Sequence, residues 1–478
     1  LSSELFRPIV VTDELAAATG AGAWLQALLD AEAALAGAQA DQGVIPRAAA
    51  DAISSAAVAS RYDVAAIGHA ARLGGNPVIP LVDALGREVG GEAAGWVHWG
   101  ATSQDIMDTA QMLVASRALA LVDDATAELA AGCAALAVEH RQTVMVGRTL
   151  MQHALPITFG LQAAGWLSGV LDVRQQLDAA RDGLAAQLGG AVGTLASLGT
   201  EGPGVLARFA TRLGLAVPVL PWHTARQRMA ALAAALGIAA GTAAKIAGDI
   251  ALLMQTELGE VAEPAAAGRG GSSALPHKRN PVAAAAVSSA ARQAIALVPV
   301  VFGSLVAEEQ RPVGAWQAEW ESLSSLLALA GSAVTMTAET VGGLEVHPAA
   351  MAANVDRTGG LVLSERVALA LAPMTDGGSP VGRPAAKAAV EEASRSSLST
   401  GRSFGDALAD QALVSRLLDP AQIAELLEPS GYLGATDAWI DRVLAAYRAR
   451  VDDAVAEPVG GGPVGGGPAS VVRSGGVA

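Results

Sequence analysis

Long stretches of this chain place apolar residues at alternating spacings of four and three. Between Pro221 and Pro264, with no proline intervening, Leu232, Leu236, Ala239, Ala243, Ile246, Ile250 and Leu253 recur in this way. The spacing predicts one long helix with a heptad-like seam, which at 1.5 Å per residue reaches roughly 60 Å. Trp166, Val170, Val173, Leu177 and Leu184 form a second seam. A third helical stretch follows Pro281, carries Pro299 as a kink and extends to Glu308 and Glu309. Long antiparallel helices with such seams make a bundle, so the expected fold class is all-α.

The flanks have shorter helical patterns, broken by Gly-Gly-Asn-Pro at 74–77 and Gly-Gly-Ser-Pro at 377–380. Four segments are expected: an N-terminal helical domain over 1–115, the central bundle over 116–345, a C-terminal helical domain over 346–455, and a tail over 456–478. Gly-Gly-Gly-Pro occurs twice in that tail, which has almost nothing apolar to bury and is predicted to be disordered.

Composition fits this reading. Of the 478 residues 52% are hydrophobic but only 3% aromatic, so alanine and leucine carry the apolar mass, as in close-packed helices. The net charge of −15 argues against nucleic acid as a partner, and any anionic ligand must be drawn by a local cluster. Cys133 is the only cysteine, which excludes intrachain disulfides and fits a reducing cytoplasm. The seven histidines are scattered without metal-ligand spacing, and no metal or cofactor is expected. Residues 2–14 are mixed and acidic rather than basic then apolar, so no secretory signal is expected. The runs Met229–Ala244 and Ser322–Ala338 fall short of the roughly 20 apolar residues of a membrane span and are read as core helices.

Three polar stretches interrupt the apolar pattern: Gly100-Ala-Thr-Ser-Gln-Asp-Ile-Met-Asp-Thr109, Arg148-Thr-Leu-Met-Gln-His-Ala-Leu-Pro156 and Gly271-Ser-Ser-Ala-Leu-Pro-His-Lys-Arg-Asn-Pro281. Each sets hydroxyl, amide or cationic donors beside a helix start, where unpaired N–H groups favour anions. Any one alone is equally a capped helix end. In the last, Lys278, Arg279 and Asn280 offer donors suited to carboxylates, on a backbone loosened by Gly268, Gly270 and Gly271.

Together and in this order, the three stretches resemble those of the fumarase/aspartase superfamily, whose loop reads Gly-Ser-Ser-x-x-Pro-x-Lys-x-Asn-Pro. The resemblance covers roughly residues 5 to 450. It implies a homotetramer with a core of long helices, active sites each built from three subunits, and reversible β-elimination through an aci-carboxylate. It places the base at Ser272 and substrate-carboxylate contacts at Lys278 and Asn280.

Two departures narrow the resemblance. Adenylosuccinate and argininosuccinate lyases carry a His-Asp-Val triplet and a Thr-His pair, where this chain has Tyr62-Asp63-Val64 and Thr149-Leu150. A strongly basic leaving group such as an amine needs a general acid. A carboxylate, with a pKa near 4, does not, and an ionised carboxylate attacking a double bond needs no base. Loss of the acid therefore suits a cycloisomerisation. Gln152–Trp166, Gly75–Val82 and Gly314–Trp320 agree, since they resemble segments of the bacterial 3-carboxy-cis,cis-muconate cycloisomerases. That resemblance implies a tricarboxylate substrate, proton delivery to carbon by Ser272 or a group it positions, and Thr102, Ser103, Gln152, Lys278 and Asn280 holding carboxylates.

His153 reads as a site residue or a satisfied core histidine, and Arg311, just past an acidic pair, as a substrate contact or a surface ion pair. Trp316 and Trp320, four apart, read as helix packing. Gly401-Arg-Ser-Phe-Gly405 fits a nucleophile elbow but follows a polar run rather than a strand. The rival readings are an adenylosuccinate-type lyase and a catalytically idle relative.

Overall fold

The structure is a computed structural model that describes residues 3–265, 270–271, 275 and 277–456. The expected disordered segment from 457 onward, and Ser272, lie outside the described residues.

Helix α1 (Ala21–Asp41) and the short α2 (Val64–Gly74) belong to the N-terminal part. They are followed by α3 (Ser103–Glu139), a hairpin of β1 (Val144–Thr149) and β2 (Gln152–Thr158), and α4 (Phe159–Asp182). The bundle is completed by α5 (Gln227–Leu253), α6 (Val282–Gly303) and α7 (Ala315–Gly342). Among the described residues the remaining strands are two-residue pairs, and the fold is all-α as expected.

The seam of α5 packs inward, with Leu232, Leu236, Ala239, Ala243, Ile246 and Ile250 each at most 1% exposed. The helix has 27 residues, about 40 Å rather than the roughly 60 Å expected, because the flanking turns take up the rest of the proline-free interval. The α4 seam is buried likewise, Leu184 lying just past the helix end. Helix α6 contains Pro299 and stops at Gly303, short of Glu308.

Two contacts show that α3 and α7 run parallel. Trp316 Nε1 donates to Asp108 near their starts, and a Cβ at Gly132 would lie 3.2 Å from Val341 near their ends. Helix α4 runs back from the hairpin. A Cβ at Gly160 would sit 2.7 Å from Arg141 Cα, so only glycine lets the start of α4 cross the end of α3 this closely.

One core joins the N-terminal part to the bundle, and a separate smaller core, including Val367, Leu371, Phe404 and Ile423, lies in the C-terminal part. Helix α8 (Thr436–Ala456) returns to the bundle, burying Ile440 and Leu444 in the main core. Helix α3 runs through residue 115.

Helices α5 and α6 are long and apolar enough to cross a membrane. The α5 seam is buried, whereas α6 leaves Ile295, Val300 and Phe302 on the surface. At the rejected elbow, Ser403 accepts a hydrogen bond from Asp406 N as the N-cap of a short helix, and a helix rather than a strand precedes it.

Candidate active site

The first polar stretch becomes the N-terminus of α3. Thr102 is the N-cap, and its N–H donates to the carboxylate of Asp105 at 3.0 Å. Asp105 is fully buried and also accepts from Gly189 N at 2.8 Å, Gly190 N at 2.9 Å and His223 Nε2 at 2.7 Å. One carboxylate thus ties the cap to two distant loops. Arg311 joins this cluster rather than an acidic surface pair. Its Nε donates to Gln104 Oε1 at 3.0 Å, and its Nη2 to Thr102 Oγ1 at 3.3 Å and Ala191 O at 3.2 Å. An exposed guanidinium bonded to the N-cap hydroxyl at a helix N-terminus has donor chemistry of the kind that suits a carboxylate.

Beneath it, Arg226 is fully buried between Asp108, 2.7 Å from its Nη1, and Glu319, 3.0 Å from its Nε. Burial opposes the Arg226 charge, but the two carboxylates more than offset this and raise its pKa. Burial, opposed by Arg226, raises that of Glu319. Trp316 is 3% exposed and meets Trp320 edge to face at 4.8 Å, the packing role expected.

Gln152 and His153 sit at the other end of the bundle. Helix α3, with 37 residues, separates Thr102 from the hairpin by about 55 Å. The two-residue turn has Leu150 at φ 51° and Met151 at φ 63°, a left-handed pair, and Leu150 is 97% exposed. The hairpin is anchored by Arg148, whose two nitrogens reach Glu260 at 2.9 and 2.6 Å. Glu260 is fully buried and also accepts from Asn354 at 2.7 Å. His153 faces Arg148 across the strands. Burial and then Arg148 lower its pKa against the pull of Glu260, leaving a neutral imidazole at pH 7.

The third stretch lies at this same end. Arg279 is committed to Glu345, at 3.0 and 2.9 Å, and to Glu263 O, so it braces the loop instead of offering free donors. Lys278 is exposed, and Asn280 lines a cavity of about 80 Å³ with Glu263, Gly270 and Arg279. That volume is far below the roughly 300 Å³ of a small-molecule pocket. Within one chain, then, Thr102, Ser103 and Arg311 come together at one end, and Gln152, His153, Lys278 and Asn280 lie at the other.

Sequence reasoning missed Asp105, His223 and Glu260. Asp105 had a signal, an acidic residue three positions after an N-cap threonine. Glu260 and His223 had none, since only the fold brings them to Arg148 and Asp105.

The family described as Lyase matches residues 9–296, and that described as adenylosuccinate lyase C-terminus matches residues 360–443. A 3-carboxy-cis,cis-muconate cycloisomerase of Bradyrhizobium diazoefficiens is 44% identical over 92% of this chain and 98% of its own. A nitrosuccinate lyase of Streptomyces davaonensis is 43% identical over 93% of this chain and 95% of its own. The crystal structure of the 3-carboxy-cis,cis-muconate lactonizing enzyme of Pseudomonas putida superposes with a TM-score of 0.88 at 38% identity, covering 94% of this chain and 100% of that one. The chain belongs to the fumarase/aspartase superfamily of lyases, in the branch that holds the 3-carboxy-cis,cis-muconate cycloisomerases.

Proposed function

We propose that this protein reversibly lactonises 3-carboxy-cis,cis-muconate to 4-carboxymuconolactone in protocatechuate catabolism, as a cytoplasmic homotetramer without a cofactor. The observation that carries this reading is the lack of an acid at the two positions where related lyases keep histidines. Leu150 stands bare at the hairpin tip, and the Tyr62 hydroxyl is spent on Ala56 O at 2.8 Å, with burial raising its pKa. A substrate carboxylate that is its own nucleophile requires no such group. Ser272, or a group it positions, delivers the proton to carbon. Thr102, Ser103, Arg311, Gln152, Lys278 and Asn280 hold the remaining carboxylates and the charge of the aci-carboxylate. His153, neutral at pH 7, is suited to accept a proton or a hydrogen bond rather than to pair with an anion.

The separation of about 55 Å between the two groups of residues supports a site shared between copies, with each end of one chain meeting the opposite end of another. The exposed apolar residues of α6 support the same assembly, as they supply a face for a second copy.

A second reading has one specific support. Nitrite, like a carboxylate, is a weakly basic leaving group, so the missing acid also suits elimination from nitrosuccinate, the substrate in the name of the Streptomyces relative. Ultraviolet absorbance follows loss of the conjugated diene, and a colorimetric assay follows nitrite release. Diene loss without nitrite release is expected; nitrite release without diene loss would overturn the lactonisation reading. Ser272→Ala at full rate would remove only the assigned base.

A further inference from the structure

Three arginines converge on the flank of the bundle, away from both groups of candidate site residues. Arg174 and Arg181 lie on α4 and Arg450 on α8, and the carboxylates they meet are Asp178 on α4 and Asp123 on α3. Arg174, Asp178 and Arg181 follow one another at spacings of four and three, so they share a face of α4. Asp123 comes twenty residues after Ser103, which sets the cluster about 30 Å along α3 from Thr102.

The cluster holds three positive charges against two negative ones, in a chain whose net charge is −15. Its donors are poorly used as well. Arg174 Nη2 is 3.6 Å and Arg181 Nη2 3.4 Å from the same oxygen of Asp123, and Arg181 Nη1 is 3.7 Å from Asp178, contacts that pair charges without good hydrogen bonds. Arg450 is bonded to Asp178. Each guanidinium carries five N–H groups, and Arg174 Nε, Arg181 Nη2 and Arg450 Nε are shielded from solvent without a hydrogen-bond partner among the described residues. Arg174 is only 15% exposed, so water replaces little of what it lacks. Burial lowers its pKa, and the like charges of Arg450 and Arg181 add to this against the pull of Asp123 and Asp178. An excess of donors and of positive charge, drawn together from distant parts of the chain, calls for an anion with several acceptor oxygens.

We infer that Arg174, Arg181 and Arg450 form a binding site for a small oxyanion of the phosphate class, separate from the site of the reaction and fastening α8 to α4. Asp123 and Asp178 space the guanidiniums and compete with the anion for them.

The test uses the full chain in a buffer free of phosphate and sulfate, with inorganic phosphate as the probe and sodium chloride at matched ionic strength as the control. Calorimetry should find phosphate bound at this site in the low-millimolar range, and the unfolding midpoint should rise by about 2–4 °C, with no such rise in chloride. Arg174→Gln and Arg450→Gln should each weaken binding at least tenfold, whereas Arg311→Ala, which removes the guanidinium at the start of α3, should leave the midpoint response in place. Asp123→Asn discriminates further. Loss of a competing carboxylate should tighten phosphate binding about threefold or more, while a purely internal ion network would lose stability without gaining affinity. Hydrogen exchange should slow with phosphate around Arg174–Arg181 and in the last turns of α8. A midpoint rise matched by chloride, a full phosphate response in folded Arg174→Gln, or its loss in Arg311→Ala overturns the inference.

Discussion

Replacing Glu260 by glutamine tests whether one buried ion pair holds the hairpin in a working position. Glu260 is fully buried, Arg148 is 16% exposed, and the two share bonds of 2.9 and 2.6 Å. Glutamine keeps the shape and one acceptor but leaves the guanidinium without its countercharge. Breaking a buried pair costs about 3–5 kcal/mol, and the partial exposure of Arg148 lets water recover some of it, so about 2–3 kcal/mol is expected. At about 1.4 kcal/mol per decade, a cost that falls on hairpin docking lowers kcat/KM by roughly 30- to 150-fold. The assay is diene loss in ultraviolet absorbance, with the thermal midpoint recorded in parallel and Arg148→Met completing a double-mutant cycle. A coupling of about 2 kcal/mol or more is expected between the two substitutions. Removing Glu260 also removes the one influence that raises the His153 pKa against Arg148, so any limb due to His153 shifts to lower pH. A Glu260→Gln enzyme within threefold of wild-type kcat/KM, with an unchanged midpoint, would refute the reasoning.

Other perturbations probe the opposite end and the turn. Arg226→Met strands the buried carboxylates of Asp108 and Glu319 and is expected to cost about 3–5 kcal/mol in denaturant unfolding, with Asp108→Asn added to it restoring part of the loss. Leu150→Asn with Met151→Gly relieves two left-handed residues and should stabilise the hairpin by about 2 kcal/mol while lowering turnover; an unchanged melting midpoint would show the turn to be unstrained. Arg311→Lys should raise KM nearly as far as Arg311→Ala, about tenfold, because an ammonium cannot span Gln104, Thr102 and Ala191 together; a lysine variant with wild-type KM would show that charge alone suffices. His98 Nδ1 lies 2.6 Å from the buried carboxylate of Glu32; burial opposes the charge of the ring, but Glu32 and Asp105 more than offset this and raise its pKa. That raised pKa contributes stability that is full below the unfolded value near 6.5 and is lost as pH rises through the folded value. The melting-midpoint difference between wild type and His98→Gln should therefore shrink across that range; a difference constant with pH would contradict it.

Periodicity and chemistry were legible from the sequence because both are local. Seven apolar residues at four- and three-residue spacings determine a helix face whatever surrounds it, and six of them pack almost fully buried. Thr102-Ser103 and the Lys278–Asn280 loop carry donor types suited to a carboxylate, which is the ground for proposing them as substrate contacts. What depended on the third dimension was partnership. Arg279 looks as free as Lys278 in sequence, and only the approach of Glu345, 66 residues away, takes its donors. Arg311 follows two glutamates, yet the fold carries it to Thr102, and Glu32 finds His98 across a 66-residue separation. Sequence order also hides distance: Thr102 and His153 are 51 residues apart in the chain but lie at opposite ends of a helix about 55 Å long. A local pattern states what an element is, while desolvation and pairing are properties of neighbours that only packing supplies.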